Sequence, residues 1–282
     1  MVSTATIVCI LISMLMSLVL PVALLILFAA KHKKQGIIPA WLLGAAGFFV
    51  TQILIRVPIL TVLQTRSWFL DFSRNHVFGY AFSLAFTAGL FELAGRFAVA
   101  KLLNRKELTR NRALAAGLGH GGIEAMVITG MAMVNNLIYV VMINTGAFDA
   151  LVAQTAAGMD AAQAEMITAQ LEMIRTQLIA YAPALFLLGG FERILAMIAH
   201  LGMSVLVCYG VAHKKVLPCT LVCLLIHTFI DLTAGLSLVL PQATAYPIIY
   251  AILIAVAVLS LVILRELSRR WKETEVPHDS EE

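Results

Sequence analysis

This sequence is short of charge. Asp, Glu, Lys and Arg make up 13% of its 282 residues, about half the ~25% usual in soluble domains. Hydrophobic residues make up 61%, and the mean hydropathy is +0.92. That balance excludes a soluble globular fold, whose interior is too small to bury so much apolar surface. Cysteine is scarce as well. Cys9, Cys208, Cys219 and Cys223 lie in or beside apolar runs, which suits buried small hydrophobes better than disulfides or a metal knuckle. No internal repeat is visible, which weakens the case for an inverted-repeat transporter. There is no H-E-x-x-H motif, and Ser83 and Ser204 lack the context of a nucleophile elbow. Residues 1–5 carry no basic group and no small-residue cleavage site follows the first apolar run. That run is therefore expected to be a retained helix and not a signal peptide.

What the chain does have is long apolar stretches, near 5–30, 38–64, 77–102, 113–145, 183–212, 217–240 and 244–264. Each reaches the ~20 residues that cross a ~30 Å hydrocarbon core as a helix. The expected fold is all-α, a polytopic transmembrane bundle of about seven spans with room in the count for an eighth. Residues 1–264 are expected to form a single membrane domain and 265–282 a charged cytoplasmic tail, disordered at its end. The setting is a multi-pass protein of a bacterial-type plasma membrane, with the lipid bilayer as partner.

Basic residues set the expected orientation. Fourteen Lys and Arg follow segments 1, 3, 5 and 7, whereas the alternate connections hold Arg66, Arg74 and Arg175. The positive-inside rule then puts the N-terminus outside and the C-terminus in the cytoplasm. It also accounts for the net charge of +4 without nucleic acid as a partner. The connection 146–182 becomes extracytoplasmic, and Met166, Ile167, Leu171, Ile174 and Leu178 recur there at the spacing of an amphipathic helix.

Against this background the intramembrane ionisable residues stand out. A charge at the bilayer centre costs about 2.5–3.5 kcal/mol even on the lenient insertion scale, so such residues are functional candidates. Segment 2 carries Arg56, segment 3 Glu92 and Arg96, segment 4 His120 and Glu124, segment 5 Glu192, Arg193 and His200, and segment 6 His227 and Asp231. Glu92 with Arg96, His120 with Glu124, and His227 with Asp231 are each four residues apart, on one helix face. Counting ~1.5 Å per residue from the cytoplasmic ends puts Glu92, Glu124, His200 and His227 all roughly 14–18 Å deep. Ion pairs with a purely structural role have no reason to share a level; a site does. Glu92 and Arg96 are equally explained as a self-neutralising salt bridge. Glu192 and Arg193 fall nearer the outer surface, where Arg56 is a candidate partner for Glu192. Gly117 and Gly121 form a small-xxx-small face for close helix approach, and Gly189–Gly190 suggests a break or kink.

Burial makes a carboxylate hold protons more readily, which suits it to take one from water. Nearby imidazoles can orient that water, bind an oxyanion or ligate a metal. Peptide hydrolysis uses all of these functions. Phe91-Glu92-x-x-x-Arg96, Gly119-His120-Gly121-Gly122-x-Glu124-Ala125, Glu192-Arg193-x-x-Ala196-x-x-x-His200 and His227-x-x-x-Asp231 together resemble the YhfC family of membrane peptidases. That family is similar to the CAAX-protease, bacteriocin-processing and PrsW-like intramembrane proteases. His227 and Asp231 fit the superfamily's last motif, and His200 fits the middle one with Ala196 in place of an aromatic. In the first motif, Phe91 stands where a second glutamate is usual.

The resemblance implies an intramembrane endopeptidase acting on a membrane-embedded or membrane-associated peptide. Glu124 would activate water, with His120 assisting. His200 and His227 would position the water or the oxyanion, and Asp231 would orient His227. Glu92, Arg96, Glu192 and Arg193 would support them. Zinc held by His120, His200 and His227 is the metallo form of the same expectation; a metal-free glutamic mechanism is the other. A proton-coupled transporter, a b-type haem protein ligated by His200 and His227, and an inactive scaffold are the competing readings of the same cluster.

Overall fold

The computed structural model describes residues 1–274, and among these no strand occurs. Seven helices are long and apolar enough to cross a membrane, in agreement with the seven expected stretches: α1 (Thr4–Lys31), α2 (Ile37–Leu63), α4 (Val77–Asn104), α5 (Arg110–Thr145), α8 (Pro183–Ala212), α9 (Val216–Leu238) and α10, whose span is Gln242–Trp271. Three shorter helices join them: α3 (Ser67–Asn75), α6 (Phe148–Ala156) and α7 (Ala161–Ala180). Leu15–Val19 in α1, Phe49–Arg56 in α2 and Met126–Gly130 in α5 are wound as wider π-type turns, which re-aim the side chains that follow. α8 runs unbroken through Gly189–Gly190, so the expected break is absent.

The chain forms two compact units, one of Met1–Leu20 with Ala125–Ile194, the other of Pro21–Glu124 with Leu195–Glu282. In the first, Ile10, Met133, Val140 and Leu178 form the core, and the Ser13 hydroxyl donates to the Phe186 carbonyl at 2.5 Å. Its α6 and α7 fill the 146–182 connection. Asp160 caps α7 by accepting from the Gln163 amide at 2.9 Å, and Arg175 of α7 pairs with Asp149 and lies over the Phe148 ring.

The second unit is built around the part of α8 that follows Ile194. An 18-residue window of α8 is 78% buried, against 11–28% for the other spans, so α8 is enclosed while its neighbours turn apolar side chains outward to lipid. Trp41, Val99, Leu103, Met203, Val207 and Trp271 belong to its core. The last turns of α10 continue past the apolar run to Thr274. Glu266 accepts there from Arg269 at 3.0 Å and from Arg270 at 2.7 Å, pairs spaced to extend a helix. The expected disorder at the end of the charged tail lies outside the described residues.

Two glycines beside His120 set the helix spacing around it. A β-carbon on Gly119 would fall on the Trp41 carbonyl oxygen of α2. One on Gly121 would lie 3.0 Å from the His200 β-carbon and 3.2 Å from the Met197 α-carbon of α8. The backbone of α5 thus touches both neighbours on either side of one imidazole. Gly119→Val must push α2 and α5 apart, an overpacking that typically costs about 1–3 kcal/mol. The expected result is a thermal midpoint lower by several degrees in purified protein; an unchanged midpoint would show that the helices separate freely.

Candidate active site

α4, α5, α8 and α9 of the second unit each contribute an acid or imidazole to one buried cluster. Its hub is Glu92, 3% exposed. The Glu92 Oε2 atom accepts from Arg96 Nη2 at 2.9 Å and lies 3.0 Å from His120 Nε2. His200 Nδ1 and His227 Nδ1 approach the same oxygen at 3.5 and 3.6 Å. Its other oxygen, Oε1, accepts from the Gln52 amide at 2.7 Å. Around this hub, His200 Nε2 meets Glu124 Oε2 at 2.8 Å, and His227 Nε2 meets Asp231 Oδ2 at 3.3 Å. The His120 and His200 rings stack with centroids 5.5 Å apart, and Phe48 closes the far side of His120 edge-on.

Hydrogen-bond chemistry fixes the tautomer of His200. Arg96 Nη2 can only donate and lies 2.5 Å from His200 Nδ1, so Nδ1 carries the lone pair. Nε2 then carries the proton, on the side where Glu124 Oε2 lies 2.8 Å away. A carboxylate beside the outer nitrogen of a histidine is an arrangement that metal-ligating histidines share.

The structure thus gathers Glu92, Arg96, His120, Glu124, His200, His227 and Asp231. Glu92 with Arg96 and His227 with Asp231 pair along their own helices as expected, whereas His120 and Glu124 reach across to other helices. His120 turns to Glu92 on α4, and Glu124 turns to His200 on α8, although His120 and Glu124 are only one turn apart on α5. Glu192 and Arg193 belong to the other unit, where they pair with each other. Arg56 donates to the Leu84 carbonyl at 2.7 Å and to Gln52 Oε1 at 3.3 Å. Gln52 is the participant that a search for charged groups passes over. Its signal was a neutral amide inside an apolar run, four residues before Arg56.

Ligand atoms of Glu92, His120 and His200 all lie within 4.8 Å of one another. This group shares His120 and His200 with the three-histidine set expected from sequence and has Glu92 as its third member. His227 Nδ1 remains near, buried and without a hydrogen-bond partner among the described residues. Two imidazole nitrogens and a carboxylate oxygen are the donor types that zinc takes in catalytic sites. The His200 and His227 rings lie 5.5 Å apart and share Glu92, so a porphyrin between them would have to displace that carboxylate.

Fold and cluster define a class: a polytopic helical membrane protein with an enclosed carboxylate–histidine centre able to hold a metal. A model of the YhfC intramembrane metalloprotease family matches residues 16–258. The uncharacterized membrane protein YhfC of Bacillus subtilis (strain 168) is 31% identical over 265 residues, which cover 93% of this chain and 97% of the relative. The chain belongs to the YhfC intramembrane metalloprotease family and is a multi-pass membrane protease. No solved structure matches it significantly.

Proposed function

We propose that the cluster hydrolyses a peptide bond of a membrane-embedded or membrane-associated substrate, with Glu92, His120 and His200 as the metal-holding residues and Glu124 as general base. The carrying observation is the convergence of three buried donors within 4.8 Å, with a second carboxylate 2.8 Å from one of them. A zinc ion held there would supply Lewis-acid polarisation of the scissile carbonyl. Glu92 has both oxygens engaged by fixed donors, which suits a ligand and leaves little capacity for a proton. Glu124 is the remaining buried glutamate of the cluster, placed to take a proton from water and return it to the leaving amine. Asp231 holds His227 Nε2, so Nδ1 is the atom turned to the substrate, and it donates to the substrate oxygen when the ring is the doubly protonated imidazolium. The fourteen-to-three bias of basic residues supports an N-terminus outside and a cytoplasmic C-terminus.

The test compares the peptide termini in membranes expressing this protein before and after dialysis against a chelator. New termini that vanish on chelation and return with zinc support the reading. Termini indifferent to chelation would leave a metal-free mechanism, and no new termini under any condition would sink it.

Arg96 carries its own expectation. Its guanidinium and a metal cation draw on the same lone pairs, those of His200 Nδ1 and Glu92 Oε2. Arg96→Met leaves Glu92 buried without its counter-charge when the site is metal-free, a loss of about 3–5 kcal/mol for broken buried pairs. The variant should melt at lower temperature than the wild type without metal and gain more from added zinc. A zinc-induced shift no larger than the wild type's would show that Arg96 is not the counter-cation of the site.

A further inference from the structure

We propose that Gln52, braced by Arg56, is a positioning residue that makes Glu92 a one-oxygen ligand, an inference that rests on the metal-site reading above. Gln52 is 5% exposed and sits in the wide-turn segment of α2, facing α4. Its amide nitrogen donates to Glu92 Oε1 at 2.7 Å and to the Ala88 carbonyl at 3.3 Å. Its amide oxygen accepts from Arg56 Nη1 at 3.3 Å.

An amide's two ends are ordinarily interchangeable by a flip. Here they are not. The α4 side offers two acceptors, a carboxylate and a carbonyl, while the Arg56 side offers a guanidinium, which has no acceptor. A flipped amide would set oxygen against oxygen on one side and N–H against N–H on the other. Arg56 cannot relax to suit a flip, because Leu84 and Thr87 of α4 hold its guanidinium at 2.7 and 3.4 Å. α2 therefore presents one fixed donor to one oxygen of Glu92. The carboxylate cannot swing to offer both oxygens to the histidine side, and Oε2 alone faces His120 and His200. Single-oxygen ligation keeps coordination number low, as a site that must leave a position for substrate or water requires.

The variant is Gln52→Met, which keeps length and volume and removes the donor. Purified protein is titrated with zinc, and the visible spectrum of the cobalt(II)-loaded protein reports ligand number. The expected result is zinc affinity weaker by about ten- to a hundredfold, the range of outer-shell losses, with a cobalt band weakened and shifted as Glu92 binds through both oxygens. Arg56→Met, which frees the Gln52 amide to flip, should weaken zinc in the same direction by a smaller factor, and it carries the test if Gln52→Met does not fold. Wild-type affinity and an unchanged cobalt spectrum in the folded variants would overturn the positioning role alone. A wild-type protein that binds neither zinc nor cobalt would overturn the metal-site reading instead.

Discussion

Glu92→Gln is expected to abolish both metal binding and proteolysis while leaving a folded, less stable protein. The substitution preserves shape and removes the one negative charge on which Arg96, His120, His200 and His227 converge at 2.9–3.6 Å. Loss of an outer-shell partner costs metal affinity about 10–100-fold, so loss of the charged ligand should exceed a hundredfold. Arg96 is then left buried with its Nε and Nη1 already lacking hydrogen-bond partners among the described residues. A charge stranded in this way destabilises by about 3–5 kcal/mol. Zinc content of the purified variant, read beside its thermal midpoint, separates the two effects. Full zinc occupancy in Glu92→Gln would demote Glu92 to an ion-pair partner of Arg96 and return the metal to the three histidines.

The membrane spans were legible because hydropathy is a property of runs, and seven runs of span length survive any small error in their ends. The residues of the cluster were legible because charge in an apolar run is conspicuous and spacing of four marks a helix face. The partnerships of His120 and Glu124 were not, although Glu92–Arg96 and His227–Asp231 pair as their spacing indicates. Whether His120 meets Glu124 or Glu92 depends on how α5 is rotated between α2 and α8, and that rotation is set by the backbone contacts at Gly119 and Gly121. A spacing of four gives proximity along one helix, yet a side chain reaching sideways to the next helix finds a partner at 3.0 Å that no periodicity shows. Gln52 escaped for a different reason: it is neutral, so a search for intramembrane charge passes over it, although its amide donates to the central carboxylate at 2.7 Å. The basic residues after 264 read as a tail because they end the apolar run, whereas the Glu266 pairs carry the helix on to Thr274. The function itself came from the family resemblance; the cluster alone is equally a proton relay in chemical terms.

Glu124→Gln is expected to retain the metal and lose turnover, the reverse of the Glu92 variant in its first half. The amide of the new side chain can place its oxygen where Glu124 Oε2 lies, 2.8 Å from His200 Nε2. His200 therefore keeps its tautomer, its Nδ1 stays turned towards Glu92 and His120, and the three-donor set is undisturbed. What the amide cannot do is take a proton from water, and removal of a general base typically slows a reaction by about 10²–10⁴-fold. Zinc stoichiometry near that of the wild type, with uncut substrate accumulating in the membrane, is the predicted outcome, read by metal analysis and by mass spectrometry of peptide termini. Glu124→Ala is the necessary companion, because it removes the group beside His200 Nε2 as well as the base. If Glu124→Gln cleaves normally and only Glu124→Ala fails, Glu124 acts through His200 as an orienting group, and the base must be sought elsewhere in the cluster. If both variants lose cleavage and only Glu124→Ala also loses zinc, the carboxylate serves both roles: it holds the histidine through one proton and the water through another.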